Sequence, residues 1–248
     1  MEHKVALVTG GAKGIGREIV LELANAGYCV VINYNTSEKQ ALELKQELES
    51  NNKKCIVVKA DISNEQQVKN MVDIAVKSFG KIDVLVNNAA ISLDSMFYDK
   101  TAESFNKTLS TNVVGTFLVS KLVGEIMYNN KFGKIINISS TNGINTYYPM
   151  CLEYDASKAA IISLTHNLAI QFAPYVNVNA VAPGFIATES EIGGMDEEFI
   201  KLEEEKVLLR RAGKPQEVAK LVGFLVSENA NFINNEVIKI DGGIYGDC

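Results

Sequence analysis

The feature that most constrains the fold is a short apolar segment, residues 4–9, that runs directly into a glycine-rich turn and then into a helix. The segment lacks polar–apolar alternation, which is typical of a strand buried in a parallel sheet. The turn reads Thr-Gly-Gly-Ala-Lys-Gly-Ile-Gly over residues 9–16, and apolar residues then recur at helical spacing until Gly27. Glycines let a backbone approach a phosphate, and a helix N-terminus offers it unpaired N–H groups. On this segment alone, an ordinary tight turn without a ligand stays open as the alternative.

The same alternation of strand and helix continues along the chain. Further strands are predicted over residues 28–34, 54–60, 82–86, 134–138, 176–181 and 236–240, and helices over 38–50, 64–79, about 100–129, about 154–172 and 215–227. No linker-like or low-complexity stretch interrupts the 248 residues. We therefore predict an α/β fold: a single domain over residues 1–248 with a doubly wound parallel sheet (a Rossmann fold) of about seven strands and helices on both faces.

Charge and cysteine usage exclude several classes of partner. The net charge is −6 and no basic run occurs, so we expect neither nucleic acid nor an anionic membrane as a partner. No apolar run approaches about 18 residues and no signal peptide precedes the first strand, so we expect no membrane span. The cysteines are scattered and the two histidines do not cluster, which predicts no metal site and no disulfide framework and suits a reducing cytoplasm. The cysteines are Cys29, Cys55, Cys151 and Cys248.

One pair of residues carries a specific chemistry. Tyr154 and Lys158 are four positions apart in a predicted helix and therefore share one face. A free phenol has a pKa of about 10 and is a poor base at neutral pH, but a nearby ammonium group favours the phenolate and lowers that pKa. Tyr154 is thus a candidate general acid or base. Because this spacing also arises by chance on solvated helices, the pair alone is weak support.

The end of the second predicted strand bears on the choice of nucleotide. A dinucleotide site usually places an acidic residue there to hold the ribose 2′-hydroxyl. In this chain residues 33–37 read Asn-Tyr-Asn-Thr-Ser, with no carboxylate before Glu38. Lys13 lies in the glycine turn and Arg17 one helical turn later. A missing acid and an added base favour a 2′-phosphate, and hence NADP(H) over NAD(H), although Lys13 can also simply be solvated.

In combination, the motifs resemble the short-chain dehydrogenase/reductase family over essentially the whole chain. They are TGGAKGIG at 9–16, NNAA at 87–90, Asn112, ISS at 138–140, YDASK at 154–158, PGFIAT at 183–188 and IDGG at 240–243. Each motif is weak by itself, and their order and spacing make the resemblance specific. Within the family, the glycine turn, the fifth strand and residues 178–188 are most similar to bacterial 3-oxoacyl-acyl-carrier-protein reductases.

The resemblance implies a role for each matching residue. Tyr154 would give or take the proton on the substrate oxygen, and Ser140 would hydrogen-bond that oxygen. Lys158 would bind the nicotinamide ribose and lower the phenol pKa, and Asn112 would hold a proton path to solvent through its backbone and a water. Besides Tyr154 and Lys158, the implied cofactor contacts are Gly10, Lys13, Gly14, Ile15, Gly16, Asn33, Asp61, Ile62, Asn87, Ala89, Pro183, Gly184, Ile186 and Thr188. Asp61 can also cap the helix at 64–79. No metal is implied.

The resemblance also implies a homotetramer. One interface would use helices 109–129 and 154–172, and the other would use helix 215–227 with strand 236–240. The late helix carries more apolar residues than one core-facing stripe needs: Val218, Leu221, Val222, Leu225 and Val226. Closed twofold symmetry would let each patch pair with itself.

The chain departs from the family pattern near the site. Ala90 stands where glycine is usual. The spacing from the catalytic serine to the tyrosine is one residue longer than usual, so loop 141–153 carries an insertion or a bulge. Glu153 precedes the tyrosine, and we expect it to point away because adjacent helix residues do not face each other. Ser139 remains the rival for the catalytic serine.

Two segments bear on the substrate. Loop 144–153 offers Tyr147, Tyr148, Pro149, Met150 and Leu152, which either form an apolar wall for a small hydrophobic ketone or alcohol or belong to the core. Residues 189–212 are rich in charge and contain Gly193-Gly194 as a possible hinge. We predict that the part over 189–207 is mobile without ligand and folds as a short helical lid that excludes water.

An acidic carrier protein would need a basic docking surface. Lys131 matches one docking residue of the similar reductases, whereas the other would fall where the chain is shortened at residues 173–175. The lid carries Glu189, Glu191, Asp196, Glu197 and Glu198 before its first lysine, Lys201, and would repel an acidic carrier. A carrier would therefore dock on the Lys131–Lys134 side.

Three functions remain open. The first is NADP(H)-dependent reduction of a ketone to a secondary alcohol, with a small-molecule or carrier-bound 3-oxoacyl thioester as the leading substrate. The second is a dehydrogenase of the same family for a small alcohol, sugar or steroid-like ketone. The third is a non-enzymatic nucleotide-sensing regulator, which the presence of both Tyr154 and Lys158 disfavours. A fold alone does not name the substrate.

Overall fold

Seven parallel strands form one central sheet. The computed structural model describes residues 3–244, and of residues 190 and 191 only the backbone. The strands are β1 (Val5–Val8), β2 (Cys29–Tyr34), β3 (Cys55–Lys59), β4 (Val84–Asn87), β5 (Gly133–Ile138), β6 (Val176–Pro183) and β7 (Val237–Ile240). Their order is β3-β2-β1-β4-β5-β6-β7, and every neighbouring pair is parallel. The predicted parallel sheet is confirmed, and each predicted strand overlaps an observed one.

Helices cover both faces of this sheet. They are α1 (Gly14–Asn25), α2 (Glu38–Ser50), α3 (Glu65–Phe79), α4 (Ala102–Leu109), α5 (Thr116–Asn129), α6 (Leu152–Phe172), α7 (Glu189–Ile192), α8 (Glu197–Lys206) and α9 (Pro215–Val226). A π-helical turn, Ser110–Gly115, joins α4 to α5. In the described part of the chain, no helix is both long and apolar enough to cross a membrane.

The absence of alternation in the strands follows from two separate cores. Successive residues of a strand point to opposite faces. In β1, Ala6 and Val8 join the cluster that includes α1 and α9, whereas Val5 and Leu7 join the cluster that includes α3, α5 and α6. Because both faces are covered, every position of β1 is buried and apolar.

The apolar residues of α9 serve the first of these cores, not an interface between subunits. Val218, Val222, Leu225 and Val226 are at most 3% exposed, and Leu221 packs against the same core. The prediction that these residues form a spare apolar surface was therefore wrong. The large apolar side chain that α9 does expose is Phe224.

The strand order reverses at β1, since β2 and β3 lie on one side of it and β4 to β7 on the other. Ligands of doubly wound sheets bind outside the C-terminal ends of the strands at such a point. The glycine turn follows β1 directly, and β4, β5 and β6 end at the same edge. The sheet therefore brings the predicted site motifs to one crevice.

Candidate active site

The glycine turn after β1 is shaped by a buried amide. Gly10 has a positive φ of +60°, and its N–H donates to Asn33 Oδ1 over 3.2 Å. The Asn33 amide nitrogen donates to the carbonyls of Val58 (3.3 Å) and Ala60 (3.0 Å), and the residue is 1% exposed. Asn33 was predicted as a cofactor contact. Its side chain lies inside the protein, where it holds the turn in place, and a cofactor contact through its backbone stays a prediction.

The N-terminus of α1 fits a phosphate group. Lys13 occupies the N-cap position, makes no side-chain capping bond, and the first turn holds no acidic residue. The N–H groups at Gly14, Ile15 and Gly16 are therefore left for a ligand. A Cβ built on Gly16 would lie 2.3 Å from the Gly10 carbonyl oxygen, so only glycine allows this close approach.

The two cations near this helix are in different situations. Arg17 is paired with Glu18 (2.9 Å) and Glu47 (2.5 Å). Lys13 is exposed at the turn. Of the two, Lys13 is the better placed to meet a 2′-phosphate, because the charge of Arg17 is already matched by carboxylates.

The segment after β3 offers a carboxylate, although not as a helix cap. Asp61 Oδ1 accepts from the N–H (2.9 Å) and the hydroxyl (2.7 Å) of Ser63. The residue that caps α3 is Asn64, whose side chain accepts from Gln67 N. The capping alternative for Asp61 was therefore wrong. Ile62 is 4% exposed and packs in the core, so only its backbone can face a ligand.

At the end of β4 the asparagine side chain is used internally. Asn87 is 4% exposed, and its amide nitrogen donates to Ser120 Oγ and Asn137 Oδ1, both over 2.8 Å. The predicted ribose contact would thus come from the backbone of this segment. Ala89 N donates to Thr9 Oγ1 (3.1 Å), which ties the segment to β1. Ala90 is exposed, so its methyl group does not crowd the core.

The C-terminal end of β6 approaches the same crevice. Pro183 pairs with Ile240 of β7, and a Cβ on Gly184 would lie 2.6 Å from Asp241 Cβ. Ile186 is buried, with 4% of its surface exposed. Thr188 lies beside the glycine turn, since its Cγ2 would be 3.7 Å from a Cβ on Gly14.

Tyr154 and Lys158 lie side by side on α6. The Lys158 ammonium is 5.2 Å from the centroid of the Tyr154 ring, and it donates to the Ile138 carbonyl over 2.8 Å. Lys158 is 3% exposed, and this burial lowers its pKa from 10.5 to about 8. Tyr154 is half-buried.

Asn112 lies in the π-helical turn and anchors α6 to the segment after β4. It is 1% exposed; its Oδ1 accepts from Ile91 N (2.8 Å), and its Nδ2 donates to Ile91 O (2.9 Å) and Ser157 Oγ (2.9 Å). Its carbonyl accepts from Thr116 Oγ1 over 2.7 Å. Both hydrogens of the side-chain amide are therefore engaged, and the proton path through the Asn112 backbone and a water stays a prediction.

The two serines after β5 differ in what they contact. Ser139 Oγ donates to the Lys158 carbonyl over 2.8 Å and is 2% exposed, so it fastens β5 to α6. Ser140 Oγ instead donates to Asn142 Oδ1 (3.3 Å) and accepts from Asn142 N (3.2 Å). This geometry favours Ser140 over Ser139 as the catalytic serine.

Two carboxylates flank the tyrosine, and each fixes a different segment. Glu153 is fully buried, and its Oε2 lies 2.6 Å from Lys100 Nζ, which also donates to the Leu93 carbonyl. The Glu153 carboxylate is thus paired with Lys100, and its orientation away from Tyr154 stays a prediction. Asp155 accepts from Asn142 Nδ2 (2.7 Å) and from Tyr148 N (2.9 Å). The sequence analysis missed Asp155; its only signal was a carboxylate adjacent to the tyrosine.

The apolar side chains of loop 144–153 do not belong to the core. Tyr147 is 76% exposed, and Met150 and Leu152 are also exposed. Tyr148 and Pro149 are not buried either. The core alternative was therefore wrong, and the loop presents an apolar surface.

The predicted lid is helical, as α7 and α8, but it is not loosely attached at its end. The hydroxyl of Tyr148 donates to Glu203 of α8. After α8, Leu208 N donates to Gly243 O (2.8 Å), and Ala212 N donates to Glu204 Oε1 (3.0 Å). Mobility stays a prediction for the part before Val207, and the side chain of Glu191 lies outside the described residues.

The described residues hold no group of three or more His, Cys, Asp and Glu side chains that could bind a metal ion. Cys29, Cys55 and Cys151 are free thiols. Burial raises the pKa of Cys55 to about 11, and burial with the adjacent Asp94 raises that of Cys151 to about 12. Neither thiol is therefore a ready nucleophile at neutral pH. Cys248 lies outside the described residues.

Comparisons with known proteins extend over nearly the whole chain. A family model described as Enoyl-(Acyl carrier protein) reductase matches residues 10–245. Glucose 1-dehydrogenase 2 of Bacillus subtilis (strain 168) is 35% identical over 97% of this chain and 94% of its own. The 3-oxoacyl-[acyl-carrier-protein] reductase FabG of Staphylococcus epidermidis is 34% identical over 98% of this chain and 99% of its own.

Solved structures agree with these relatives. A dehydrogenase/reductase from Sinorhizobium meliloti 1021 aligns with a TM-score of 0.91 and 28% identity, over 98% of this chain and 95% of that chain. The structure of gox2181 aligns with a TM-score of 0.93 and 32% identity, over 98% of this chain and 96% of that chain. The chain therefore belongs to the short-chain dehydrogenase/reductase family and is an oxidoreductase.

Proposed function

We propose that the chain reduces a ketone to a secondary alcohol with NADP(H), and that its substrate is a 3-oxoacyl thioester. The observation that carries the reaction type is the Lys158 ammonium, buried and 5.2 Å from the ring of Tyr154. A cation in this position favours the phenolate that remains once the tyrosine has given up its proton.

The residues present fit a nicotinamide dinucleotide. The uncapped N-terminus of α1 and the close-packed glycines suit its pyrophosphate. Lys13, exposed at the turn, would meet a 2′-phosphate. Asp61 and the backbone around Asn87 would hold the adenine and a ribose, and Thr188 would meet the nicotinamide end. When bound, the cofactor supplies the hydride chemistry.

The protein's own groups supply a proton and hold the substrate oxygen. Tyr154 would carry that proton on its hydroxyl group and deliver it to the substrate oxygen. Ser140 would donate a hydrogen bond to the same oxygen and fix its position. With a pKa of about 8, Lys158 is mostly protonated at neutral pH and can hold its charge beside the ring while the proton moves.

The substrate class rests on the relatives and on the apolar loop 144–153. The Staphylococcus epidermidis relative is named a 3-oxoacyl reductase. The expected docking side for a carrier has less support: Lys134 is 2% exposed and donates to the Ser227 carbonyl. Lys131 precedes β5, whose six residues span about 20 Å. Because Ser140 follows the other end of that strand, a carrier at Lys131 would not face this chain's own cleft.

The second candidate is a sugar dehydrogenase, and one relative favours it. The Bacillus subtilis protein, 35% identical over 97% of this chain, is named a glucose 1-dehydrogenase. The acidic lid would not hinder a neutral sugar. The third hypothesis, a non-enzymatic sensor, does not fit an intact Tyr154–Lys158 pair.

A substrate panel separates the two enzymatic candidates. The purified chain would be assayed with acetoacetyl-CoA and NADPH, and with glucose and NADP+, by the absorbance of NADPH. We expect kcat/KM for the thioester to exceed that for glucose by at least about a hundredfold, or about 2.7 kcal/mol in transition-state stabilisation. Turnover of glucose alone would replace the thioester proposal with the sugar dehydrogenase.

A further inference from the structure

The carboxylate of Asp155 holds two separate points of the loop that precedes α6. Its Oδ1 accepts from the side-chain amide of Asn142 over 2.7 Å, and its Oδ2 accepts from the backbone N–H of Tyr148 over 2.9 Å. Both oxygen atoms are thus occupied. A Cβ on Gly143 would lie 2.5 Å from the Lys158 carbonyl carbon, so the loop lies tightly against α6.

Through Asn142, the Asp155 carboxylate is connected to the catalytic serine, Ser140. Because Asp155 accepts from Asn142 Nδ2, the amide oxygen of Asn142 is turned toward Ser140. That oxygen accepts from Ser140 Oγ (3.3 Å), and Asn142 N donates to the same Oγ (3.2 Å). The position of the serine hydroxyl therefore depends on Asn142, and the orientation of Asn142 depends on Asp155.

Through Tyr148, the Asp155 carboxylate is also connected to the lid. The Tyr148 hydroxyl donates to Glu203 of α8, whose side chain is only 12% exposed. Lys206 Nζ is 2.5 Å from Glu203 Oε1 and 5.9 Å from the centroid of the Tyr148 ring. Tyr148 therefore joins α8 at its hydroxyl group and Asp155 at its backbone.

We propose that Asp155 is a positioning residue that couples the lid helix α8 to the catalytic serine, through Tyr148 on one side and Asn142 on the other. The proposal rests on the proposed role of Ser140 in the reaction. Docking of α8 then holds the loop on α6 and sets the serine hydroxyl where the substrate oxygen must be. Loss of any link leaves the cofactor site intact and misplaces Ser140.

The first test asks whether Asp155 acts through Ser140. Asp155→Ala and Asn142→Ala would each be measured alone and combined with Ser140→Ala, with acetoacetyl-CoA and NADPH. We expect each single change to lower kcat about ten- to a hundredfold, with the Kd for NADPH unchanged. On the Ser140→Ala background we expect no further loss, because residues that act as one unit are not additive.

The outcomes of this test are distinct. An equal further loss on the Ser140→Ala background means that Asp155 acts independently of the serine, and it overturns the proposal. Near-normal activity of Ser140→Ala alone refutes the proposed role of Ser140 and the coupling with it, whereas a wild type that does not turn over acetoacetyl-CoA refutes the proposed function. Asp155→Asn keeps the shape but places an NH2 group against a donor, so one bond is lost and an intermediate kcat is expected.

The second test addresses the lid and does not depend on turnover. Tyr148→Phe removes only the hydroxyl group that reaches Glu203, and Tyr147→Phe is the matched control on the exposed neighbour. Hydrogen–deuterium exchange would be followed at residues 142–148 of the NADPH complex. We expect exchange at least about threefold faster in Tyr148→Phe and unchanged in Tyr147→Phe. Equal exchange in both variants would show that α8 does not hold the loop.

Discussion

At the scale of single residues, the candidate site is built around a lysine that the fold keeps out of water. Lys158 is 3% exposed, with the Ile138 carbonyl as a hydrogen-bond acceptor for its ammonium. Burial disfavours the charged form and lowers its pKa to about 8. The cation beside Tyr154 is therefore held at a cost in stability.

That cost predicts a pH dependence. In the unfolded chain a lysine titrates near pH 10.4, so between about pH 8 and pH 10.4 the unfolded state binds more protons than the folded state. The free energy of unfolding of the wild type should rise with pH in this window, by up to about 1.4 kcal/mol per unit, relative to Lys158→Met. Below the window the difference between the two proteins should be constant. Urea titrations across the window test this, and parallel curves for both proteins would count against a buried cation.

A second prediction at this scale concerns the contribution of the buried Glu153–Lys100 pair to stability. The Glu153 carboxylate is fully buried, and the Lys100 side chain is 8% exposed. Glu153→Gln leaves the lysine charge unmatched and should lower the free energy of unfolding by about 3–5 kcal/mol. The double variant Glu153→Gln/Lys100→Met removes both charges and should recover most of that loss. Denaturant titrations compare them; a double variant no more stable than the single one would show that the pair is not what holds this segment.

At the scale of elements, we predict that the glycine turn and α1 decide which nucleotide binds. Lys13 is exposed at the turn, whereas Arg17 already pairs with Glu18 and Glu47. We expect NADPH to bind at least about tenfold more tightly than NADH, which is about 1.4 kcal/mol. Lys13→Ala should erode that preference, and Arg17→Ala, the matched control, should erode it less. Fluorescence titration measures both affinities; equal values in the wild type would refute the preference.

The helices and strands were predictable because the periodicity of their apolar residues reflects burial. Which other part of the protein each apolar face packs against was not predictable. The strands lack alternation since both faces of the sheet are covered, and the glycines mark a turn with positive φ at Gly10 and Gly14. The apolar stripe of α9 was predicted, yet periodicity does not say whether a core or another subunit covers it. Likewise, a sequence motif predicts that Asn33 and Asn87 lie near the site. It does not predict that their side chains point into the protein.

The loop before α6 shows most directly what the sequence alone does not predict. Residues 141–151 have no periodic pattern, and the bonds of Asp155 to Asn142 and Tyr148 join residues that only the folded loop brings together. Similarly, the partner of Glu153 lies on a distant segment before α4. Such contacts depend on tertiary structure, so no local rule predicts them.

At the scale of the whole molecule, the homotetramer remains a prediction. Its support now comes from other exposed apolar residues: Phe117 of α5 is 43% exposed, Ile170 of α6 is 75% exposed, and Phe224 of α9 is 45% exposed. These lie on the helices that the family resemblance assigns to the two interfaces. Light scattering at micromolar concentration should give about four times the chain mass of 27.1 kDa. A mass of one chain would contradict it.

The central claim, that Tyr154 supplies the proton for carbonyl reduction, is tested most directly by the turnover of Tyr154→Phe. The change removes the hydroxyl group and keeps the ring beside Lys158. With NADPH and acetoacetyl-CoA, we predict a kcat lower by about 10²- to 10⁴-fold, with the Kd for NADPH and the circular dichroism spectrum unchanged. A Tyr154→Phe enzyme that turns over at nearly the wild-type rate would contradict the account.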